Sequence, residues 1–313
     1  MSASVSSPGA SAVDREIETR FGPILGRDEP LDRHTTLGVG GRARFFLTPR
    51  DPDECADVLG RLTRLGVPSF LIGGGANLVI KDAGFDGAVV NLSHLSSLRT
   101  AGARVRAEAG VPLARVARRA MEWSLGGLEG LVGIPGTLGG SVYMNAGGRH
   151  GELGDVVESV LVVDRRGGRP HRLARDQVGF RYRGTALGDL VVLDAVLVLA
   201  PAERIEICKR MAAVLKRKHQ TQPMGKRSAG CVFKNPAPER AAARLIDEAG
   251  LKGERVGAAE VSPKHANFIV NEGGASAADF FELVAHVRRR VLLAHGTPLA
   301  LEVKVLGERG LEG

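Results

Sequence analysis

Two hydrophobic periods run through this chain of 313 residues. Helical spacing recurs at Cys55, Val58, Leu59, Leu62 and Leu65, which predicts a helix over 51–66 with Asp51 as its cap. The same spacing predicts helices over 110–124 (Leu113, Val116, Ala117, Ala120 and Met121 inward) and 203–218 (Ile205, Cys208, Met211, Ala212 and Leu215). It also predicts helices over 240–249, closed by Gly250, and 277–295, with Phe280, Val284, Val287 and Val291 inward. Short β-branched or aromatic runs predict strands at 45–47, 68–72, 88–92, 104–107, 156–163, 191–199, 267–270 and 299–307. Residues 15–30 read as a short helix ending in a turn at Pro30, behind a disordered tail that reaches about residue 14. Helices and strands mix irregularly, with several strand–strand neighbours, so the expected fold class is α+β.

One stretch breaks both periods. Residues 126–151 hold ten glycines, with Ile134, Leu138, Val142 and Met144 between them and almost no charge. Polar linkers lack apolar residues at this density. Glycine concentrates where backbone must approach something closely, and such a segment suits a long, flat, anionic cofactor. A second cluster, Gly73, Gly74 and Gly75 followed by Ala76 and Asn77, comes straight after the strand at 68–72. It reads either as a tight turn or as a diphosphate loop. The residues beyond it favour another strand over the helix of a dinucleotide fingerprint.

Composition narrows the partners. Hydrophobic content is 43% and formal net charge +8, with the cations scattered or in short clusters at 165–166, 216–218 and 288–290. That charge favours anionic small molecules. Aromatic content of 4% leaves little for bases to stack on, so nucleic acid is not expected as a partner. Three cysteines at 55, 208 and 231 fit neither a disulfide framework nor a metal site. The start of the chain has no signal-peptide pattern, and no apolar run is long enough to span a bilayer. A cytoplasmic protein without a membrane partner is expected.

Candidate chemistry sits in four short segments. FRYRG at 180–184 alternates; if extended, Phe180 and Tyr182 share one face and Arg181 and Arg183 the other, as an anion clamp or as two solvated arginines. In LALEVKV, Leu299, Leu301, Val303 and Val305 face one way and Glu302 the other, so Glu302 is either exposed or held in a cleft. Cys55 and Cys208 lie on apolar helical stripes, whereas Cys231 follows Gly230 in a loop-like context and is the candidate reactive thiol. Lys234 and Asn235 could meet a phosphate or sugar, and His265 could be a ligand group or a turn residue.

The motifs HTTLGVGG, LIGGGANL, GIPGTLGGSVYMNAG, FRYRG, AGCVFKNP, SPKHANFIVN and LEVKVLG occur in the order found in UDP-N-acetylenolpyruvoylglucosamine reductases, and the chain resembles that family from 34 to 307. The resemblance implies a two-part FAD-binding region of the vanillyl-alcohol-oxidase type over 30–200. A substrate-binding domain over 201–307 follows, with a last strand that returns to the first region, and residues 1–29 form a flexible lead-in. FAD would be non-covalent, since the diphosphate loop carries no His or Cys. It would be held by Gly73–Asn77 and by Gly133, Ile134, Pro135, Gly136, Thr137, Gly139, Gly140 and Asn145, with His265 as a further contact.

By the same resemblance, NADPH is the co-substrate and a UDP-sugar enolpyruvyl ether the substrate, reduced in peptidoglycan precursor synthesis. Arg183 would stabilise the substrate carboxylate and Glu302 would assist it. Cys231 would protonate carbon where many members carry serine. Tyr182, Lys218, Lys234 and Asn235 would contact substrate. Thr185 and Ala300 depart from the usual serine and glutamate, and the tyrosine-bearing insert of one subgroup is missing. A monomer is expected. The competing readings are another non-covalent FAD oxidoreductase or oxidase of the same scaffold, acting on a sugar or alcohol, and a non-catalytic nucleotide- or flavin-binding protein.

Overall fold

The computed structural model describes residues 11–148 and 151–312. Three sheets carry the body of the fold. The first has the strand order Leu25–Pro30, Arg42–Leu47, Phe85–Asn91, Ser69–Ile72; its first pair is antiparallel and the others parallel. The helix Pro52–Arg64 covers one face, with Cys55, Val58, Leu59 and Leu62 fully buried. Asp51 caps this helix through a 2.8 Å bond from the Glu54 amide.

The second sheet is antiparallel throughout, in the order His171–Ala174, Val157–Asp164, Leu190–Val198, Arg104–Glu108, Leu98–Ala101. The helix Leu113–Glu122 and most of the glycine-rich stretch pack against it. The third sheet runs Arg227–Cys231, Phe268–Asn271, Ala259–Val261, Arg255–Val256, and the long helix Ala277–His295 lies across it. The α+β expectation holds.

The third sheet and the C-terminal segment after it are tied to the first region by several bonds. Strand Lys304–Gly307 runs parallel to Leu78–Ile80. Asp82 caps the helix Ala277–His295 from outside, accepting from the Ala277 and Ala278 amides at 2.8 and 2.9 Å. Thr36 donates to the Ser228 carbonyl at 2.6 Å, and Asn271 donates to that of Leu37 at 3.0 Å.

Four expectations need correction. The lead-in is structured: helix Ala12–Phe21 starts with a capping box at Ser11 and buries Ile17 and Phe21, and Leu25–Pro30 is an edge strand. Only residues 1–10 of the expected tail lie outside the described residues. Leu25–Pro30 has no apolar alternation to betray it; its middle residues are polar, with the Arg27 guanidinium over the Phe45 ring.

Second, helix Arg204–Thr221 turns only part of the expected stripe inward, keeping Met211 and Leu215 but not Ile205, Cys208 or Ala212. Ile207 is buried and Met211, Val214 and Leu215 pack on the second core, while Ile205 and Cys208 are exposed. The side chains that reach the second core set the inward face.

Third, that helix therefore packs with the second sheet, so the packing seam falls after it instead of at Pro201. Residues 200–201 themselves pair with Leu125–Gly126.

Fourth, FRYRG is not extended. Arg181 and Gly184 bond each other through N–H···O at 2.9 and 3.1 Å, closing a turn with Arg183 at φ +55°. The alternating pattern fails because a two-residue reversal sits within it.

Because Phe21 is 3% exposed in the core of the first region, Phe21→Ala should cost about 3 kcal/mol or more of unfolding free energy. Urea unfolding followed by circular dichroism measures this; a change below about 0.5 kcal/mol would return the lead-in to a dispensable tail.

Candidate functional site

The sheets meet around one cleft of about 690 Å³. Its walls come from the end of strand Ser69–Ile72, the loop 73–77, the glycine-rich stretch, the start of strand Leu190–Val198, the last turn of helix Arg204–Thr221, and residues 229–231 and 302–304.

The two glycine clusters touch each other. A Cβ on Gly74 would sit 2.8 Å from the Gly136 Cα, and one on Gly73 would sit 2.3 Å from Thr137 Oγ1. Gly75 has φ +57° and would drive a Cβ to 2.0 Å from the His34 carbonyl. Glycine is needed here first for loop against loop, and the joined loops then present backbone to the cleft.

Residues 73–77, 133–137, 139 and 140 all line the cleft. Thr137 Oγ1 is buried there without a hydrogen-bond partner among the described residues. A Cβ on Gly140 would meet no atom within 4 Å. An orphaned hydroxyl, an open glycine face and a volume in the range of cofactor sites fit a large bound group with polar atoms along its length.

Three chemically active side chains meet at one end of the cleft. Arg183 Nε lies 3.2 Å from Glu302 Oε1, and Arg183 Nη1 donates to the Gly147 carbonyl at 3.0 Å. Glu302 is held by its backbone: its amide donates to the Val232 carbonyl at 2.8 Å, and its carbonyl accepts from Asn77 Nδ2 at 3.3 Å. Burial pushes the Glu302 carboxyl above the usual carboxylate range, against the pull of Arg183 and Lys234.

Cys231 ends strand Arg227–Cys231 beyond a register shift, so the loop-like context is a bulged strand end. Burial, aided by Glu302, pushes its thiol up to about 12. The thiol is therefore neutral, which suits it to hold a proton.

Lys218 also lines the cleft. Its Nζ donates to the Val132 carbonyl at 2.7 Å, and burial lowers its pKa to about 8. Five cations, Arg165, Arg183, Arg217, Lys218 and Lys304, face the cleft against Asp189 and Glu302. Arg165 and Arg217 belong to basic clusters visible in the sequence, but nothing in the pattern tells which member of each cluster turns inward.

Five predicted contacts stand elsewhere. Asn145 is buried behind the wall, bonded wholly within the protein. His265 packs its ring edge on Phe268 and accepts from the Asn267 amide at 3.3 Å, as a turn residue. Asn235 accepts from the Ala242 amide at 3.0 Å, at the start of helix Ala242–Glu248. The Lys234 side chain is exposed, and its charge reaches the site only through its effect on Glu302. Tyr182 is 61% exposed at the turn tip, its ring 5.1 Å from the Arg183 guanidinium. Thr185 keeps a use for its hydroxyl, which donates to the Tyr143 carbonyl at 3.1 Å.

Comparison with known proteins bears on the whole chain. A family model described as an FAD binding domain matches residues 43–174. One described as the C-terminal domain of UDP-N-acetylenolpyruvoylglucosamine reductase matches residues 222–306. The reductase of that name from Geobacter metallireducens is 44% identical over 290 residues, 92% of this chain and 95% of the relative. The one from Clostridium botulinum strain Hall is 38% identical, covering 90% and 92%. The crystal structure of the Thermus caldophilus enzyme superposes with a TM-score of 0.77 at 38% identity, covering 90% of this chain and 97% of that one.

Thr137→Val removes the orphaned hydroxyl at constant shape. The apoprotein should keep its stability or gain up to about 1 kcal/mol, while FAD binds about fivefold more weakly, the net worth of one hydrogen bond. Flavin-fluorescence titration and apoprotein melting check both; unchanged FAD affinity would detach this hydroxyl from the cofactor.

Proposed function

The chain belongs to the UDP-N-acetylenolpyruvoylglucosamine reductase family, and from that premise we propose how its residues reduce the enolpyruvyl ether of UDP-N-acetylglucosamine to UDP-N-acetylmuramate with NADPH. When bound, FAD supplies the two-electron relay between NADPH and substrate. The loops 73–77 and 133–140 hold it through backbone and the Thr137 hydroxyl. The convergence of Arg183, Glu302 and Cys231 on one end of the cleft carries the assignment of the reacting centre.

Hydride addition at the vinyl CH₂ carbon of the substrate leaves negative charge on the adjacent carbon, spread onto the carboxylate. Arg183 meets that carboxylate with donors already fixed in place, so charge development needs little reorganisation. Glu302, biased toward its protonated form by burial, donates to the same oxygens or anchors the guanidinium. The Cys231 Sγ–H gives its proton to the carbanionic carbon, and the thiolate left behind lies in the field of Arg183 before it regains a proton from solvent. Lys218 holds the substrate's diphosphate from the side of helix Arg204–Thr221.

We place the reaction in the cytoplasm, carried out by a monomer, where it supports wall growth, cell shape and division. Free thiols at Cys55, Cys208 and Cys231 agree with a reducing compartment.

Cys231→Ser should keep activity within about tenfold, and Cys231→Ala should lose about a hundredfold or more. The loss should fall on flavin reoxidation by the enolpyruvyl substrate and not on anaerobic bleaching by NADPH. Equal reoxidation rates and equal solvent-deuterium incorporation in Cys231→Ala and wild type would remove Cys231 from proton transfer.

Lys218 is cationic below about pH 8 and loses its charge above it. KM for the enolpyruvyl substrate should therefore be flat below that pH and rise above it, by about tenfold once the charge is gone. Lys218→Gln should be high and flat; a wild-type KM level through pH 9.5, on the order of a unit and a half past that point, would argue against the contact.

A further inference from the structure

Asn145 touches neither the cleft nor any group assigned to the reaction, yet it is buried behind them with both ends of its side chain bonded. It is 2% exposed, and it is one of four non-glycine residues with positive φ among those described, at +44°. Arg183 is another, at +55°. A left-handed non-glycine backbone costs energy and persists only where neighbours over-determine it.

The side chain of Asn145 uses both ends. Its Oδ1 accepts from the Gly154 amide at 3.0 Å. Its Nδ2 donates to Glu152 Oε2 at 2.5 Å and to the Arg181 carbonyl at 3.1 Å. That carbonyl is also the acceptor for the Gly184 amide, the bond that closes the Tyr182–Arg183 turn. Two residues beyond Asn145, Gly147 supplies the carbonyl that receives Arg183 Nη1, and Gly147 itself pairs with Glu152. Asn145 thus joins the two supports of Arg183: the turn that carries its backbone and the short strand that receives its guanidinium.

We propose that Asn145 is a positioning residue for Arg183, holding the guanidinium at the place where the substrate carboxylate arrives, and that it makes no contact with the flavin. The inference rests on Arg183 as the carboxylate clamp. Its physical content is a distance: with the Arg181 carbonyl released, the turn and its arginine lose their fixed relation to Gly147 and Glu302. Thr185, bonded to the Tyr143 carbonyl, braces the same turn from its other end but does not reach the strand that receives the guanidinium.

The test uses the FAD-loaded enzyme and three variants. Asn145→Gly suits the left-handed backbone and removes all three side-chain bonds. Asn145→Asp keeps the acceptor for Gly154 but loses the donor to Arg181, and serves if the glycine variant does not fold. Arg183→Ala is the reference. Either Asn145 variant should keep FAD affinity and NADPH-driven bleaching within about threefold while flavin reoxidation by the enolpyruvyl substrate slows about a hundredfold, as a misplacement on the ångström scale would cause. Adding Arg183→Ala to either variant should slow reoxidation no further than Arg183→Ala alone.

FAD affinity falling in step with turnover would make Asn145 a cofactor contact. Losses that multiply in the double variant would make it a general scaffold residue. Either result overturns the proposal. If Arg183→Ala itself leaves reoxidation unchanged, the clamp assignment fails, and that failure is visible before any Asn145 variant is read.

Discussion

The contact between two glycine loops governs this architecture. Gly73 and Gly74 come from the end of a strand in the first sheet, and Gly136 and Thr137 from the stretch that packs on the second. No side chain fits between them. The two sheets also share a buried core, in which Phe45, Leu47 and Val90 pack with Val163, Val191 and Leu193, and the loop contact makes a continuous backbone floor for the cleft. A methyl group on Gly74 would have to push the loops apart, because it meets the Gly136 backbone at 2.8 Å and interiors at this density do not absorb such volume locally.

Onto that floor the third sheet brings the ionisable groups. Cys231 and Glu302 sit on neighbouring segments bonded through Val232, and Arg183 arrives from the second region on a turn. Each region supplies what the others lack: backbone donors, a guanidinium, a carboxyl and a thiol. Burial sets the protonation pattern more than the pairing does. Both the carboxyl and the thiol are pushed toward their neutral forms even though an arginine lies beside them. A reaction that adds hydride and then a proton to carbon calls for this combination, with one fixed positive charge and acids that still hold their protons.

Much of this was legible in the sequence, and the failures have physical causes. The helices over 51–66, 110–124 and 277–295 are long and amphipathic, so periodicity finds them and their buried faces. The alternation of Leu299, Val303 and Val305 against Glu302 also survives. Leu25–Pro30 and Arg227–Cys231 do not announce themselves, because an edge strand and a bulged strand are held by backbone bonds that no side-chain pattern encodes. On helix Arg204–Thr221 the periodicity finds Met211 and Leu215 but not Ile207 and Val214, which complete the inward line that Lys218 continues into the cleft. Asn145, Asn235 and His265 were placed at the ligand by resemblance, yet each accepts a hydrogen bond from a backbone amide of the protein itself.

The parallel pairing of Lys304–Gly307 with Leu78–Ile80 has a consequence for biosynthesis. Asn77 and Glu302, bonded across the same seam, are separated by 225 residues. At ribosomal rates of about 5–20 residues per second, the early strand waits on the order of ten seconds or more for its partner. During that interval the nascent chain can build its first two sheets, but its glycine floor lacks the Glu302 carboxyl. The reacting centre is thus completed late, and a chain cut short before residue 302 carries Arg183 and the Cys231 thiol without the carboxyl that sits beside them.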